Sequence, residues 1–470
     1  MNHPVYDLVV VGGGSGGYAA ARTARSLGAS VAIVDHGPLG GLCILRGCMP
    51  SKTLIASSDL AQEIRESGVL GVHAGSPRID FPAIMRRKAD VIKGFADDRI
   101  IDLKSFPLYQ GLARFVAPNR VAVGDDVELE AKRFVIATGS VVAPPFVAGL
   151  ADTGYIDSDE ALVLDHIPAS LIVLGGGYVA TELGQFYARM GASTTMLLRA
   201  PHVLSGEDDD VGDALTRYLR EEGIRVETGA LPVRAERDGA LKSVTFSRGG
   251  VEERVDAEEI FYALGRLPNV AGLDLETAGV AYHPVTGVDT DSSMRTSNPA
   301  IFAVGDVTGC YPLVHVAIYE GEIAARNAIL GTSEGTDYSL VRTHAVFTDP
   351  QVATVGATEK DLVAAGTAYL ASSYPFADHG KAIAINKTKG FVKMLASPDD
   401  GRILGAAVIG AHASDLIHEL IVAMHYRSTV DEFVTIPHLH PTMAEIWTYP
   451  AEDIAAQIAV RSPRLEVAAS

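Results

Sequence analysis

The chain has 470 residues, 47% of them apolar and 21% charged. This composition excludes a disordered, collagenous or disulfide-stapled chain and allows about three domains of roughly 150 residues each. No apolar run approaches the ~18 residues of a membrane span, and 39 basic against 58 acidic residues leave a formal charge of −19, which argues against nucleic acid and anionic membranes as partners.

Met1-Asn2-His3-Pro4 carries no basic leader and no small-residue cleavage site, so a cytoplasmic location is expected. Tyr6 to Val11 reads as a buried parallel strand, β-branched and apolar. It runs into Gly12-Gly13-Gly14-Ser15-Gly16-Gly17, a helical stretch from Tyr18 to Leu27, and a second strand, Ser30 to Val34, that ends at Asp35. In this order Gly12 permits a tight turn, Gly14 a close approach to a pyrophosphate, and Gly17 close helix–strand packing. The pyrophosphate would sit on the helix N-terminus and Asp35 would accept a ribose hydroxyl. A glycine-rich turn alone would be weak evidence; strand, helix and acid in sequence point to a dinucleotide.

Next comes Gly40-Gly41-Leu42-Cys43-Ile44-Leu45-Arg46-Gly47-Cys48-Met49-Pro50-Ser51-Lys52. Cysteines four to five apart share the side of a helix, so a single helical turn could bring the sulfurs within bonding reach. In a reducing compartment a close pair reads as redox-active, metal-binding or inert; zinc lacks a second ligand pair at suitable spacing. Arg46 either lowers a thiol pKa, greets an anionic substrate, or is simply an exposed helical arginine.

Phe134 to Ser140 reads as a strand ending in a small-residue turn, with Thr138 and Gly139 at its tip. The glycine pattern then returns: strand Ser170 to Leu174, Gly175-Gly176-Gly177-Tyr178-Val179-Ala180, a helix to Met190, and a strand Thr194 to Leu198 ending at Arg199. Two such units suggest two dinucleotides, or a packing repeat with one empty site. Ala300 to Asp306 is a further strand; Asp306 at its end either meets a ligand or caps a helix, the next helical stretch running from His315 to Leu330. Cys310 reads as a small buried residue near Asp306. The last ~130 residues mix alternating strands with helices and carry no phosphate loop, an α+β domain.

These motifs, together with Ala263-Leu264-Gly265-Arg266-Leu267-Pro268-Asn269 and His440-Pro441-Thr442-Met443-Ala444-Glu445, stand in an order that resembles the class I pyridine nucleotide–disulfide oxidoreductases. That group includes dihydrolipoamide dehydrogenase, glutathione reductase and mercuric reductase. The resemblance implies an α/β fold with two Rossmann-like dinucleotide-binding domains of the glutathione reductase type and a C-terminal α+β dimerisation domain. It implies an FAD-binding domain at 1–149 and 269–338, an NAD(P)-binding domain inserted at 150–268, and an interface domain at 339–470.

It further implies that Cys48 is the sulfur next to the flavin and Cys43 the interchange thiol. Lys52 would lie beside the flavin and pair with Glu182, and Tyr178 would cover the flavin as a lid. Thr138, Gly139, Gly41, Gly265, Arg266 and Asp306 would join Gly12, Gly14, Gly17 and Asp35 at the cofactors. Gly175, Gly177, Ala180 and Arg199 would hold the nicotinamide nucleotide. His440, oriented by Glu445, would be the acid–base group acting on the partner subunit's Cys43 in a homodimer with shared active sites. His438 would be its neighbour in the loop.

Arg199 stands where NAD-specific sites place an acid, and Ala180 closes the motif as in NADPH-dependent relatives, so NADP(H) is expected over NAD(H). Ser205, in place of a second basic residue, and Glu207-Asp208-Asp209-Asp210 weigh against it; those acids either begin the next helix or repel a phosphate. Phe347 to Gly356 looks like mercuric reductase, yet no vicinal cysteine pair closes the chain and His440 departs from that group. The expected substrate is lipoamide, dihydrolipoamide or a lipoyl-protein. A glutathione reductase-like or mercuric reductase-like enzyme acting on another disulfide or a thiol-bound metal is the alternative, and a non-catalytic flavoprotein subunit is the reading from another class. No resident metal is expected.

Overall fold

Strand β1 (Val5–Val11) keeps Leu8, Val9, Val10 and Val11 out of solvent together. An alternating strand would expose every second residue, so both faces of this one are covered. One cover is helix α1 (Ser15–Ser26), which buries Gly16, Gly17, Ala19, Ala20, Ala21 and Ala24. Strand β2 (Val31–Asp35) pairs parallel to β1, with Val10 opposite Ile33.

The computed structural model describes residues 5–461. The leader-free start read at residues 1–4 and the cysteine-free tail at 462–470 lie outside them. Among the described residues, the first sheet has seven strands. Val127–Ile136 pairs parallel with β1 on one side and with Ile301–Ala303 on the other. The strand that precedes Asp306 therefore enters the sheet from a segment more than 160 residues further along the chain. The long helix Val314–Leu330 packs on α1. Its Gly321 lies so close that a Cβ there would sit 2.3 Å from the Gly16 carbonyl oxygen.

Helices α2 (Gly41–Arg46), α3 (Cys48–Glu66) and α4 (Phe81–Lys104) follow β2. The second glycine unit builds a separate parallel sheet from Ser170–Leu174, Ser193–Leu197, Arg225–Glu227 and Glu259–Tyr262. An antiparallel three-stranded sheet, Leu231–Asp238, Leu241–Arg248 and Val251–Ala257, lies beside it. The third body is an antiparallel five-stranded sheet running from Thr343–Val346 to Leu370–Pro375. It packs on helices Ala413–His425 and Thr448–Arg461 around the buried Trp447.

Two buried cations tie these bodies together. Arg189, 3% exposed, meets Asp59 of α3, Glu222 and Asp349. Lys393, also 3% exposed, meets Asp208, Asp210 and Glu359 at 2.8–2.9 Å. A charge buried this far is tolerated because several carboxylates surround it.

Candidate active site

A cavity of about 560 Å³ opens at the carboxyl ends of the first sheet, where open α/β sheets bind ligands. Gly12, Gly14, Asp35, Gly41, Cys43, Cys48, Thr138, Gly139 and Asp306 line it. Gly17, Lys52, Tyr178, Glu182, Gly265 and Arg266 stand outside that wall.

The glycine loop is built as its spacing requires. A Cβ on Gly17 would lie 1.9 Å from the Gly12 carbonyl oxygen, so any side chain would push α1 off the strand. The N-cap is Gly14, with no side chain on the first-turn amides and no acid among them, which leaves those donors for an anion. Asp35 accepts from the backbone N–H of Gly13 and Gly37, both at 2.7 Å, and each oxygen keeps a lone pair for a hydroxyl.

Asp306 is fixed from behind. Ser140 donates to it at 2.7 Å, and Arg266 holds Ser140 through both its hydroxyl and its carbonyl at 2.9 Å. Arg266 thus acts on the cavity through Ser140. Thr138 spends its hydroxyl on the Asn269 carbonyl. Buried Glu320 accepts from Gly305 N–H at 2.6 Å and from the Tyr338 hydroxyl at 2.7 Å, and burial raises its carboxyl pKa. Ser140, Glu320 and Tyr338 carried no signal of this role in the sequence, because their partners are far along the chain or unremarkable in type. The glycine loop, Asp35, Asp306 and a cavity of this volume fit a flavin dinucleotide.

The dithiol departs from the expected single helical turn. α2 ends at Arg46, Gly47 adopts φ −135° and ψ −119°, and α3 begins at Cys48. A Cβ at Gly47 would meet Leu42 O at 3.0 Å and Cys43 Cα at 3.2 Å, so the break folds the two cysteines against each other. Both are free thiols on the cavity wall. The Cys43 thiol beside it, aided by Lys52, lowers the Cys48 pKa to about 6. The same interaction and burial push Cys43 up. Arg46 also lines the cavity, and its guanidinium pairs with Asp159 at 3.2 Å. Cys310 corrects the sequence reading. It is exposed, because Gly309, with φ +72°, ends the short turn after Asp306 and carries the chain outward.

Lys52 pairs with Glu182 at 2.7 Å, 130 residues away. Glu182 is 6% exposed and also accepts from Phe347 N–H, while the Lys52 ammonium lies 4.6 Å from the Phe347 ring centroid. One turn earlier on the same helix, Tyr178 stacks on His344 and donates to Glu207 at 3.1 Å. His344 also bonds Glu207.

In the second glycine unit, Gly177 is the N-cap of helix Tyr178–Met190 without a side-chain cap. Gly175 has φ +127°, its hypothetical Cβ 2.5 Å from Ala263 O, and Ala180 is fully buried. The neighbouring strand stops at Leu197, leaving Arg199 exposed with no ion pair among the described residues. The four acids that follow are engaged. Glu207 holds Tyr178 and His344, Asp209 binds Lys360 and His202, and Asp208 and Asp210 hold Lys393.

His440 Nδ1 meets Glu445 Oε2 at 2.9 Å. The imidazole is 79% exposed while Glu445 is 12% exposed, so the pair presents an open ring backed by a sheltered carboxylate. It does not line the cavity of its own chain. His438 instead pairs with Glu419. Among the described residues no three His, Cys, Asp or Glu side chains are grouped to hold a metal, and no helix is long and apolar enough to cross a membrane.

Comparison with known proteins agrees with this geometry. Residues 6–321 match the pyridine nucleotide-disulphide oxidoreductase family, and residues 343–451 match its dimerisation domain. The chain is 37% identical over 453 residues to a dihydrolipoyl dehydrogenase of Geobacillus stearothermophilus, covering 95% of each. It is 33% identical to a mercuric reductase of Bacillus cereus, covering 94% of this chain and 70% of that one. Among solved structures, the HOCl-induced flavoprotein disulfide reductase RclA from Escherichia coli superposes with a TM-score of 0.84 at 26% identity, over 95% of this chain and 99% of the other.

Proposed function

The chain belongs to the class I pyridine nucleotide-disulphide oxidoreductase family, and on that premise we propose that it moves electrons between NADP(H) and a small disulfide or dithiol through FAD and the Cys43–Cys48 pair. The observation that carries this is the Cys43–Cys48 dithiol on the wall of the cavity, with the Lys52–Glu182 pair beside its helix. Bound FAD supplies the relay of an electron pair between nicotinamide and dithiol. Gly12, Gly14, Asp35, Gly41, Thr138, Gly139 and Asp306 would hold it.

The protein's own part is thiol exchange. With the dithiol reduced, the Cys43 thiol gives its proton to the partner subunit's His440 and its sulfur attacks one sulfur of the substrate, forming a mixed disulfide and expelling a thiolate. The partner subunit's His440 passes that proton to the thiolate. The Cys48 thiolate then attacks Cys43, closing the Cys43–Cys48 disulfide and releasing a second thiolate, which takes a proton from water. Substrate has gained two electrons and two protons; the dithiol has supplied both electrons and the Cys43 proton, and water the second proton. The reverse sequence oxidises a dithiol.

The dimerisation domain supports a homodimer, and the outward-facing His440 supports a site shared between subunits. NADP(H) is favoured because Arg199 is exposed and free to pair with a 2′-phosphate. The acids that weighed against it are spent on Lys393, Lys360, His202, His344 and Tyr178. Lipoamide is the lead substrate, in line with the dihydrolipoyl dehydrogenase relatives. The intact dithiol and His440–Glu445 pair oppose a non-catalytic subunit.

The test is turnover of the purified holoprotein with lipoamide, oxidised glutathione, mycothione, Hg(II) and Cu(II), each with NADPH and NADH. Lipoamide turnover that is lost in Cys48→Ser, with FAD retained, supports the reading. Disulfide turnover that survives Cys48→Ser overturns the dithiol's role. Turnover confined to Hg(II) or Cu(II) moves the substrate assignment to metal ions.

A further inference from the structure

Behind the His440–Glu445 pair sits a second histidine that the reaction above does not use. His379 is fully buried. It caps the short helix Gly380–Ala384, its Nδ1 accepting the backbone N–H of Ala382 at 3.4 Å. An accepting Nδ1 carries no proton, so a neutral ring must carry it on Nε2. That Nε2 faces Glu445 Oε1 at 3.4 Å and has no hydrogen-bond partner of its own. The other oxygen of the same carboxylate, Oε2, is the one on His440 Nδ1.

The pocket leaves His379 little choice. The ring stands edge-on to Phe376 and to Tyr449, and Tyr374 stacks on Tyr449 at 4.0 Å. The titratable groups around it are Glu445, His440, Tyr449 and the adjacent Asp378. Burial lowers its pKa, outweighing the pull of Glu445, which favours the neutral ring. A buried N–H without an acceptor is costly, and Glu445 is the acceptor in reach.

We propose that His379 is a positioning residue: its Nε2–H holds Oε1 of Glu445, which turns Oε2 onto His440 Nδ1 and leaves His440 Nε2 directed outward. His440 is then presented as one tautomer, backed by a carboxylate shared between two imidazoles. A carboxylate whose second oxygen accepts from a fixed donor cannot swing away when His440 gains or loses a proton. The role of His379 in turnover rests on reading His440 as the acid–base group; the coupling of the three side chains does not.

The test uses the FAD-loaded dimer with isotope-labelled histidine. Nitrogen chemical shifts of wild type should show His379 protonated on Nε2 and neutral through pH 7. His379→Phe keeps a ring of similar size without the donor. It should displace the titration midpoint of His440 by about half a pH unit or more and lower kcat for the accepted disulfide by roughly tenfold, with KM for the nicotinamide unchanged. His379→Gln restores an N–H near the Nε2 position and should recover both to within about threefold. Protonation of wild-type His379 on Nδ1, or a His440 midpoint unmoved in the Phe variant, overturns the proposal. If the Phe variant does not assemble, the wild-type tautomer and the Gln variant decide. Coupling seen by resonance in a protein that turns over no disulfide would refute the proposed function and leave the positioning role standing.

Discussion

Replacing Lys393 by Met tests whether the buried cation holds the second and third bodies of the fold together. Methionine matches the lysine stem in length, so the perturbation is chiefly the loss of one charge. It strands three carboxylates that now converge on Nζ at 2.8–2.9 Å. Removing one partner from a buried ion pair costs about 3–5 kcal/mol. Asp210 and Glu359 are 45% and 33% exposed and can turn to water, whereas Asp208 is only 7% exposed. Asp208 keeps backbone donors at Glu359 and Lys360, at 3.2 and 3.3 Å. The cost therefore falls at the low end, about 3 kcal/mol, or roughly 6–12 °C in Tm for a cooperative unit of about 200 residues. Thermal melts followed by circular dichroism at pH 8 and pH 5.5 read it out. The deficit should shrink at the lower pH, where protons stand in for the lost cation, and Asp208→Asn on the same background should restore part of it. A drop below about 2 °C, or a deficit equal at both pH values, would refute the reasoning.

Three further outcomes are expected. In the reduced protein the Cys48 thiolate should form with a midpoint near pH 6, followed by absorbance at short wavelength or by alkylation rate; Cys43→Ala removes the neighbouring thiol and should move it up toward the ordinary ~8.5, and an unmoved midpoint contradicts that cause. Arg199→Glu should shift the ratio of kcat/KM for NADPH over NADH by roughly tenfold or more toward NADH, and a wild type that prefers NADH by that factor removes Arg199 from the specificity argument. Mixing Cys43→Ser with His440→Ala subunits under free exchange should regenerate about a quarter of the sites; verified heterodimers without activity would exclude a shared site.

Local patterns were legible where the physics is local. The glycine loops, their strands and the acid at Asp35 are contiguous, and the structure places them in the order the spacing required. The helix break at Gly47 was not legible, because a five-residue spacing does not by itself announce a break and the break goes with packing against Leu42 and Cys43. Cys310 was misread as buried because small apolar residues usually are, while its exposure depends on the backbone at Gly309. His344 and His379 gave no signal at all, and Glu207 none of its bonds to Tyr178 and His344. Their partners lie up to 166 residues away, as for Tyr178 and His344, and a lone histidine in sequence does not announce a buried contact.

Gly41 opens the helix that carries Cys43, and a Cβ there would lie 2.7 Å from the Cα of Gly14. The two backbones therefore touch where one begins the redox segment and the other ends the phosphate loop. Neither can be redesigned alone. A chimera that imports the glycine loop of one relative and the dithiol helix of another must import both halves of this contact. A loop longer or bulkier by one side chain would move the sulfurs along with the site for the pyrophosphate. On the proposed reading, cofactor seat and dithiol form one module, although some two dozen residues of sequence separate them.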